Sequence, residues 1–170
     1  MPVELRVRAQ PLSLDLTMSK QVLSANAPVV VIVDDDQEDV YPLKRAILSY
    51  RKDVICDSVS SGEELFEYLD CSGEYENKVV NQAPRVILMD VNMPLQNGID
   101  VLKQLRKDPN HCCLSVIMFT TSDSEDDIRK ACEAGANSYI RKPVNASDMR
   151  NIAEKMCDYW IDVPLVIGAC

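Results

Sequence analysis

The sequence predicts an α/β fold, a doubly wound five-stranded parallel sheet covered by five helices. Three observations carry that expectation. Strand-like and helix-like segments alternate strictly from about residue 29 to residue 160. The first strand-like segment, Val29–Val33, is an unbroken β-branched run, as suits a strand buried on both faces. Polar groups stand just past four strand ends, where open α/β sheets bind ligands.

Residues 1–27 lack periodicity and are interrupted by Pro2 and Pro11, so a flexible extension is expected there, with the domain over 28–162. Met18 lies inside the extension, and a chain starting there would keep the whole domain. After the first strand, Val40, Leu43, Ile47 and Tyr50 recur at helical spacing. Pro42 should cost this helix a hydrogen bond, by a late start or a bend. Val54–Val59 reads as the second strand. Ser61 and Glu64 have the spacing of a capping box for a helix carrying Leu65, Tyr68 and Leu69. A polar loop from about Cys71 to Pro84 leads to a third strand, Arg85–Met89, ending at Asp90. Ile99, Leu102 and Leu105 mark a helix that stops near Asp108-Pro109. Val116–Phe119 is the fourth strand, followed by Thr120-Thr121-Ser122. Ser124 can cap the next helix, and Gly135 gives it a C-terminal signal. Tyr139–Arg141 is a short fifth strand. Met149, Ile152, Ala153, Met156 and Trp160 form one stripe of the last helix. An apolar tail, 163–170, follows.

Composition narrows the function. The 170 residues are 46% hydrophobic and 26% charged, ordinary for a globular protein. The net charge of -9 argues against a nucleic-acid surface, which needs clustered Lys and Arg. No apolar run approaches the roughly 20 residues of a membrane span, and the N-terminus does not resemble a signal peptide. A cytoplasmic location is expected. Seven cysteines with no CxxC pair are expected to be reduced thiols acting as small apolar side chains. His111 beside Cys112 and Cys113 lacks the remaining ligands of a metal site.

The chemistry falls at the strand ends. Asp34-Asp35-Asp36 and Asp90 bring carboxylates toward one crevice, and clustered carboxylates call for protonation or a cation. Hard oxygen donors without imidazole or thiolate favour Mg2+ or a similar ion. A metal there can bridge a carboxylate and an incoming phosphoryl oxygen. Lys142 offers a positive charge and Thr120 a hydroxyl for phosphoryl oxygens, and Asp90 is the natural nucleophile. Singly, each feature reads as blandly as a solvated loop, a surface lysine or a core tyrosine.

Taken together, Val33-Asp34-Asp35, Val86 to Pro94 leading to Asn97-Gly98, Phe119-Thr120-Thr121-Ser122 and Ala134 to Pro143 resemble the response-regulator receiver family, over about residues 29–160. The acidic stretch after strand one, the loop around Gly73-Glu74-Tyr75-Glu76, Lys107-Asp108-Pro109-Asn110 and Tyr159-Trp160 are similar to single-domain regulators that partner bacterial phytochrome histidine kinases. The resemblance implies a flavodoxin-like receiver fold and a two-component response regulator. It makes Asp90 the phosphoacceptor. Asp35, Asp90 and the Asn92 carbonyl become Mg2+ ligands, with Asp34 acting through water. Lys142 becomes the phosphate-binding lysine, Thr120 and Tyr139 the switch pair, and Lys142–Pro143 a cis bond. Asp36, a third consecutive acid, and Pro42 depart from the pattern.

The expected partner is a sensor histidine kinase, and the domain's own hydrolysis would reset the switch. About ten residues follow Trp160, too few for a DNA-binding output domain, so output is expected through protein contact. Helix four, strand five and helix five are the expected readable surface. The apolar residues Val163 to Ile167 suggest a homodimer, or a tail folded on its own domain. Two rival readings stand beside this one. An aspartyl-nucleophile phosphatase would use Asp34 to attack and Asp36 as acid/base, but leaves Asp90–Pro94 and Lys142-Pro143 without roles and has Glu38 where such enzymes favour Thr or Val. A pseudo-receiver would keep the fold and serve only for docking.

Overall fold

The computed structural model describes residues 27–77 and 82–162. The assignments made for residues 1–26 and for the tail after Asp162 lie outside the described residues. Five strands and five helices alternate: β1 Val29–Val33, α1 Gln37–Tyr50, β2 Ile55–Val59, α2 Gly62–Asp70, β3 Val86–Met89, α3 Gly98–Lys107, β4 Val116–Thr120, α4 Glu125–Glu133, β5 Ser138–Arg141 and α5 Ala146–Cys157. A short 3-10 turn, Gly73–Tyr75, breaks the loop after α2, and a π-helical turn, Asp158–Asp162, extends α5.

All strand pairs are parallel, in the order β2-β1-β3-β4-β5. The chain moves one way from β1 to β2 and the other way from β2 through β5. Right-handed crossovers therefore place α1 on one face and α2, α3 and α4 on the other, and α5 returns to the face of α1. Two buried layers result. Val30, Ile32, Leu88 and Ile117 pack under α1 and α5 with Leu43, Ile47, Ala153 and Met156. Val31, Val33, Ile87, Met89 and Met118 pack under the other helices with Leu65, Leu102 and Leu105. Alternate residues of one strand thus serve opposite layers, which is why β1 and β3 are apolar at every position.

Several local expectations need correction. α1 neither starts late nor waits for Pro42: Asp36 caps it at Gln37, with its carboxylate accepting from the Glu38 N–H at 2.8 Å. Pro42 lies on the exposed side of the helix and Glu38 is exposed as well, so the carbonyl that loses its partner can be solvated. Tyr50 is exposed and donates its hydroxyl to Asp158 at 2.7 Å. Only half of the expected capping box forms, because Ser61 accepts from the Glu64 N–H while the Glu64 carboxylate reaches back past it to Ser60. Ser124 occupies the cap position of α4 without capping through its side chain. Gly135 does end that helix, at φ 88°.

Three further points concern the cysteines, proline and the N-terminal extension. Cys56, Cys112, Cys132 and Cys157 carry free thiols, but Cys113 is joined in a disulfide, against the expectation that all seven are reduced. Compartment sets the redox poise, not which sulfurs a fold brings together. No peptide bond among the described residues is cis, so Lys142–Pro143 is trans; the trans form is preferred by about 0.5–1 kcal/mol before proline. Ala27, assigned to the extension, is buried, and its carbonyl accepts from the Gln82 side chain.

Candidate phosphoryl-acceptor site

The switch point of the sheet lies between β1 and β3, where the two directions of travel diverge. Register fixes what stands there. Val33 pairs with Met89, so Asp34 and Asp90 leave the sheet side by side. The Asp90 N–H still donates to the Val33 carbonyl at 2.9 Å, and the Asp34 N–H to the Val59 carbonyl at 3.0 Å. Thr120 pairs with Arg141, which sets Lys142 one step beyond β5, with its N–H donating to the Thr120 carbonyl at 2.7 Å. Four strand ends therefore deliver four polar side chains into one crevice, and all four are buried: Asp34 at 4%, Asp90 at 6%, Thr120 at 0% and Lys142 at 9% exposure.

The centre of the site is the Lys142 ammonium. It lies 2.7 Å from Asp34 Oδ2, 2.7 Å from Asp39 Oδ2 and 3.3 Å from Asp90 Oδ1. The first two contacts are hydrogen bonds. Asp90 uses its other oxygen, Oδ2, to accept from the Asn92 N–H at 2.9 Å. Asp90 Oδ1 is buried and accepts no hydrogen bond. Burial pushes the Asp34 carboxyl above its ordinary range, against the hydrogen bonds from Lys142 and the Asp36 N–H that favour its charged form. For Lys142 burial pulls downward, but the hydrogen bonds to Asp34 and Asp39 and the charge of Asp90 outweigh it and hold the ammonium protonated well above its ordinary range.

The remaining predicted residues stand around this centre. Asp35 is exposed beside it. Asn92, also exposed, lies in the loop after β3. Among the described residues, no three carboxylate, imidazole or thiol groups converge closely enough to form a preassembled metal cage, since the structure pairs Asp34 with Lys142 instead. The donor chemistry nonetheless suits a hard cation: carboxylates and a carbonyl, with one carboxylate oxygen buried and unpartnered. Thr120 and Tyr139 meet through Ser122, whose N–H is 3.3 Å from Thr120 Oγ1 and whose carbonyl accepts from the Tyr139 hydroxyl at 3.1 Å. The Tyr139 ring is half-buried.

Two contributors escaped the sequence reading. Asp39 looks there like an acidic residue of a helix's first turn, which the helix dipole alone would explain. Gly98 opens α3 directly against Asp90: a Cβ at that position would lie 1.9 Å from the Asp90 carbonyl oxygen, so only glycine fits. The Asn97-Gly98 pair was its one signal.

Comparison with known proteins decides the family. The family model described as the response regulator receiver domain matches residues 30–154. The chain belongs to that family. Its relatives include the response regulator Rcp1 of Synechocystis sp., 27% identical over 139 residues that span 81% of this chain and 92% of Rcp1. A crystal structure of the Mn(2+)-bound form of Rcp1 superposes with a TM-score of 0.72 at 26% identity, covering 83% of this chain and 99% of Rcp1. The phosphorylated cyanobacterial phytochrome response regulator RcpA superposes at 0.73 with 28% identity, over 81% of this chain and 96% of RcpA. RPA3017, a response regulator in red light signalling of R. palustris, does so at 0.74 with 27% identity, over 81% of this chain and 96% of its own. The receiver fold and the kinship to phytochrome response regulators read from the sequence are thereby established, and with them the assignment to two-component signalling.

Proposed function

We propose that Asp90 is the phosphoacceptor of this response regulator and that Lys142 and Thr120 receive the phosphoryl oxygens. The observation that carries the reading is Asp90 Oδ1, a buried carboxylate oxygen that accepts no hydrogen bond and lies 3.3 Å from the Lys142 ammonium. A lone pair held free of donors beside a fixed positive charge suits attack on an electrophilic phosphorus. In the transfer, the Asp90 oxygen forms a bond to phosphorus as the phosphorus–nitrogen bond of a kinase phosphohistidine breaks. The imidazole leaves with the electron pair and takes up a proton. Hydrolysis reverses the state: water attacks phosphorus, the bond to Asp90 breaks, and inorganic phosphate departs.

Two carboxylates and a phosphoryl group in one crevice carry more negative charge than a single ammonium can balance. Asp34, Asp35, Asp90 and the Asn92 carbonyl are the oxygen donors that would hold a divalent cation, Mg2+ in this reading, with Asp34 acting through water. That ion, when bound, supplies the charge neutralisation that lets an anionic phosphoryl group approach a carboxylate. Alignment of the acceptor comes from the chain itself: the Asn92 N–H fixes Asp90 Oδ2, and Gly98 lets α3 start against the Asp90 backbone. Thr120 and Tyr139 form the switch pair, biasing two arrangements of the α4–β5–α5 face.

The protein in this reading is a cytoplasmic signalling domain spanning residues 28–162, with self-phosphorylation and self-dephosphorylation as its only chemistry. Its partner is a sensor histidine kinase, of phytochrome type by kinship with RcpA and RPA3017. Among the described residues no helix is long and apolar enough to cross a membrane. Homodimerisation belongs to the same proposal, and sedimentation of the full chain against one ending at Asp162 tests it. The rival phosphatase reading needs Asp36 free as acid/base, yet its carboxylate caps α1.

Acetyl phosphate with Mg2+ tests the central assignment. The wild-type chain should incorporate phosphate, and Asp90→Asn should incorporate none while keeping its circular dichroism spectrum. Incorporation by Asp90→Asn at the wild-type rate would overturn it, and a wild type inert to every phosphodonor would make the chain a pseudo-receiver.

A further inference from the structure

We propose that Asp39 is a positioning residue that holds the Lys142 ammonium off the phosphoacceptor and so restrains occupancy of the site. The inference rests on the reading of Asp90 and Lys142 given above, and concerns a residue outside that machinery.

The geometry is a matter of where the ammonium rests, not of how many N–H donors it has. An ammonium has three. Lys142 directs one to Asp34 Oδ2 and one to Asp39 Oδ2, both at 2.7 Å, and leaves Asp90 Oδ1 at 3.3 Å without a hydrogen bond although that oxygen is buried. Asp34 and Asp90 leave adjacent strands, and their closeness to Lys142 follows from the sheet. Asp39 does not: it stands on the first turn of α1, on the helix rather than on a strand end. Its side chain is 41% exposed, so water could satisfy its carboxylate, and the helix dipole would favour it in any rotamer. It points inward to Lys142 instead.

A contact of this kind has a defined consequence. A phosphoryl group on Asp90 draws the ammonium toward its own oxygens, and that movement lengthens a contact to Asp34 or to Asp39. Releasing Asp34 leaves a buried anion whose compensation rests on the cation alone, whereas releasing Asp39 leaves a half-exposed one that water can take. Asp39 is therefore the partner that yields. Its carboxylate stabilises the unphosphorylated arrangement and adds a negative charge that opposes an arriving anion. Removing it should tighten the site for a phosphoryl group.

Beryllium fluoride with saturating Mg2+, titrated by calorimetry and by tryptophan-independent NMR shifts of the full chain, reads that occupancy without turnover. Asp39→Asn should bind the beryllofluoride adduct about threefold to fivefold more tightly, the scale of one half-exposed ion pair. Asp39→Glu should restore most of the wild-type affinity. The gain must vanish in a Lys142→Ala background, because the effect runs through that ammonium. A thermal melt of each variant separates this from a general change of stability. Wild type that takes up beryllium fluoride while Asp39→Asn binds it no more tightly overturns the role of Asp39 alone. A gain that persists without Lys142 also overturns it, as a simple charge effect. Wild type that takes up none overturns the phosphoacceptor reading on which the proposal stands.

Discussion

Lys142 is a buried cation and Arg106 a half-buried one, and the fold treats them in opposite ways. Arg106, on the last turn of α3, spends all five N–H groups on neutral acceptors: the carbonyls of Cys112, Leu114 and Gly135 and the side-chain oxygen of Asn137, at 2.9–3.0 Å. Asn137 in turn accepts from the Val116 N–H at 2.8 Å, so the guanidinium ties α3, the approach to β4 and the turn before β5 together. Burial lowers its proton affinity, and among the described residues no carboxylate reverses the effect. Lys142 faces three carboxylates with three donors and leaves one buried oxygen unserved. A saturated neutral network has one arrangement and locks a structure. A cluster of three anions around one cation, with one oxygen left unserved, can redistribute its contacts, as a switch requires. In the proposed function, the end that stays fixed and the end that changes are distinguished by what surrounds a single positive charge.

Substitution should separate the two. Lys142→Ala should slow phosphorylation by acetyl phosphate about 10²–10³-fold, the scale of one electrostatic donor removed from a transferring group, with little loss of fold when Mg2+ is present. Arg106→Met should do the reverse, costing about 2–4 kcal/mol in urea unfolding, since it strands several partly buried acceptors, with the phosphorylation rate kept. If Arg106→Met abolished phosphorylation in a folded protein, the division of labour would be wrong. Asp35→Ala should weaken Mg2+ binding by roughly tenfold in calorimetry, as loss of one carboxylate ligand allows. Unchanged affinity would remove Asp35 from the ligand set.

A third cation, Arg51, is paired with exposed carboxylates. It pairs with Asp53 through two bonds of 2.8 Å and also with Asp162. The guanidinium lowers the Asp53 carboxyl from its ordinary 3.8 to about 2. A depressed folded-state value means that the contribution is present above pH 3.8 and is lost as pH falls toward 2. Asp53 is 61% exposed, so solvent screening limits it to a few tenths of a kcal/mol, about 0.5 at most. Urea midpoints should fall across that window by slightly more in wild type than in Asp53→Asn, and the difference should shrink in high salt.

The sheet and the strand-end residues were legible in the sequence because both are local. A β-branched run names a buried strand, and the residue after it stands at the carboxyl edge whatever else the chain does. Asp34, Asp90, Thr120 and Lys142 needed nothing more to be brought together. Asp39 and Arg106 were not legible, because each acts through partners 103 and up to 31 residues away and looks locally like an ordinary helix-end charge. Gly98 is explained only by the backbone it touches. The caps slipped for a smaller reason: Glu64 can reach the N–H of Ser60 or of Ser61, and spacing does not choose between them. Cys113 and Pro143 show the same limit, since disulfide pairing depends on tertiary approach and an X–Pro sequence is compatible with either isomer.

The central claim is that the unserved oxygen of Asp90 takes the phosphoryl group. Treating the wild-type chain with acetyl phosphate and Mg2+, reducing the acyl phosphate with borohydride and sequencing the peptides by mass spectrometry reads the acceptor directly. Homoserine should appear at position 90 and at no other aspartate. Homoserine at position 34 or 35, with Asp90 unmodified, would contradict the account.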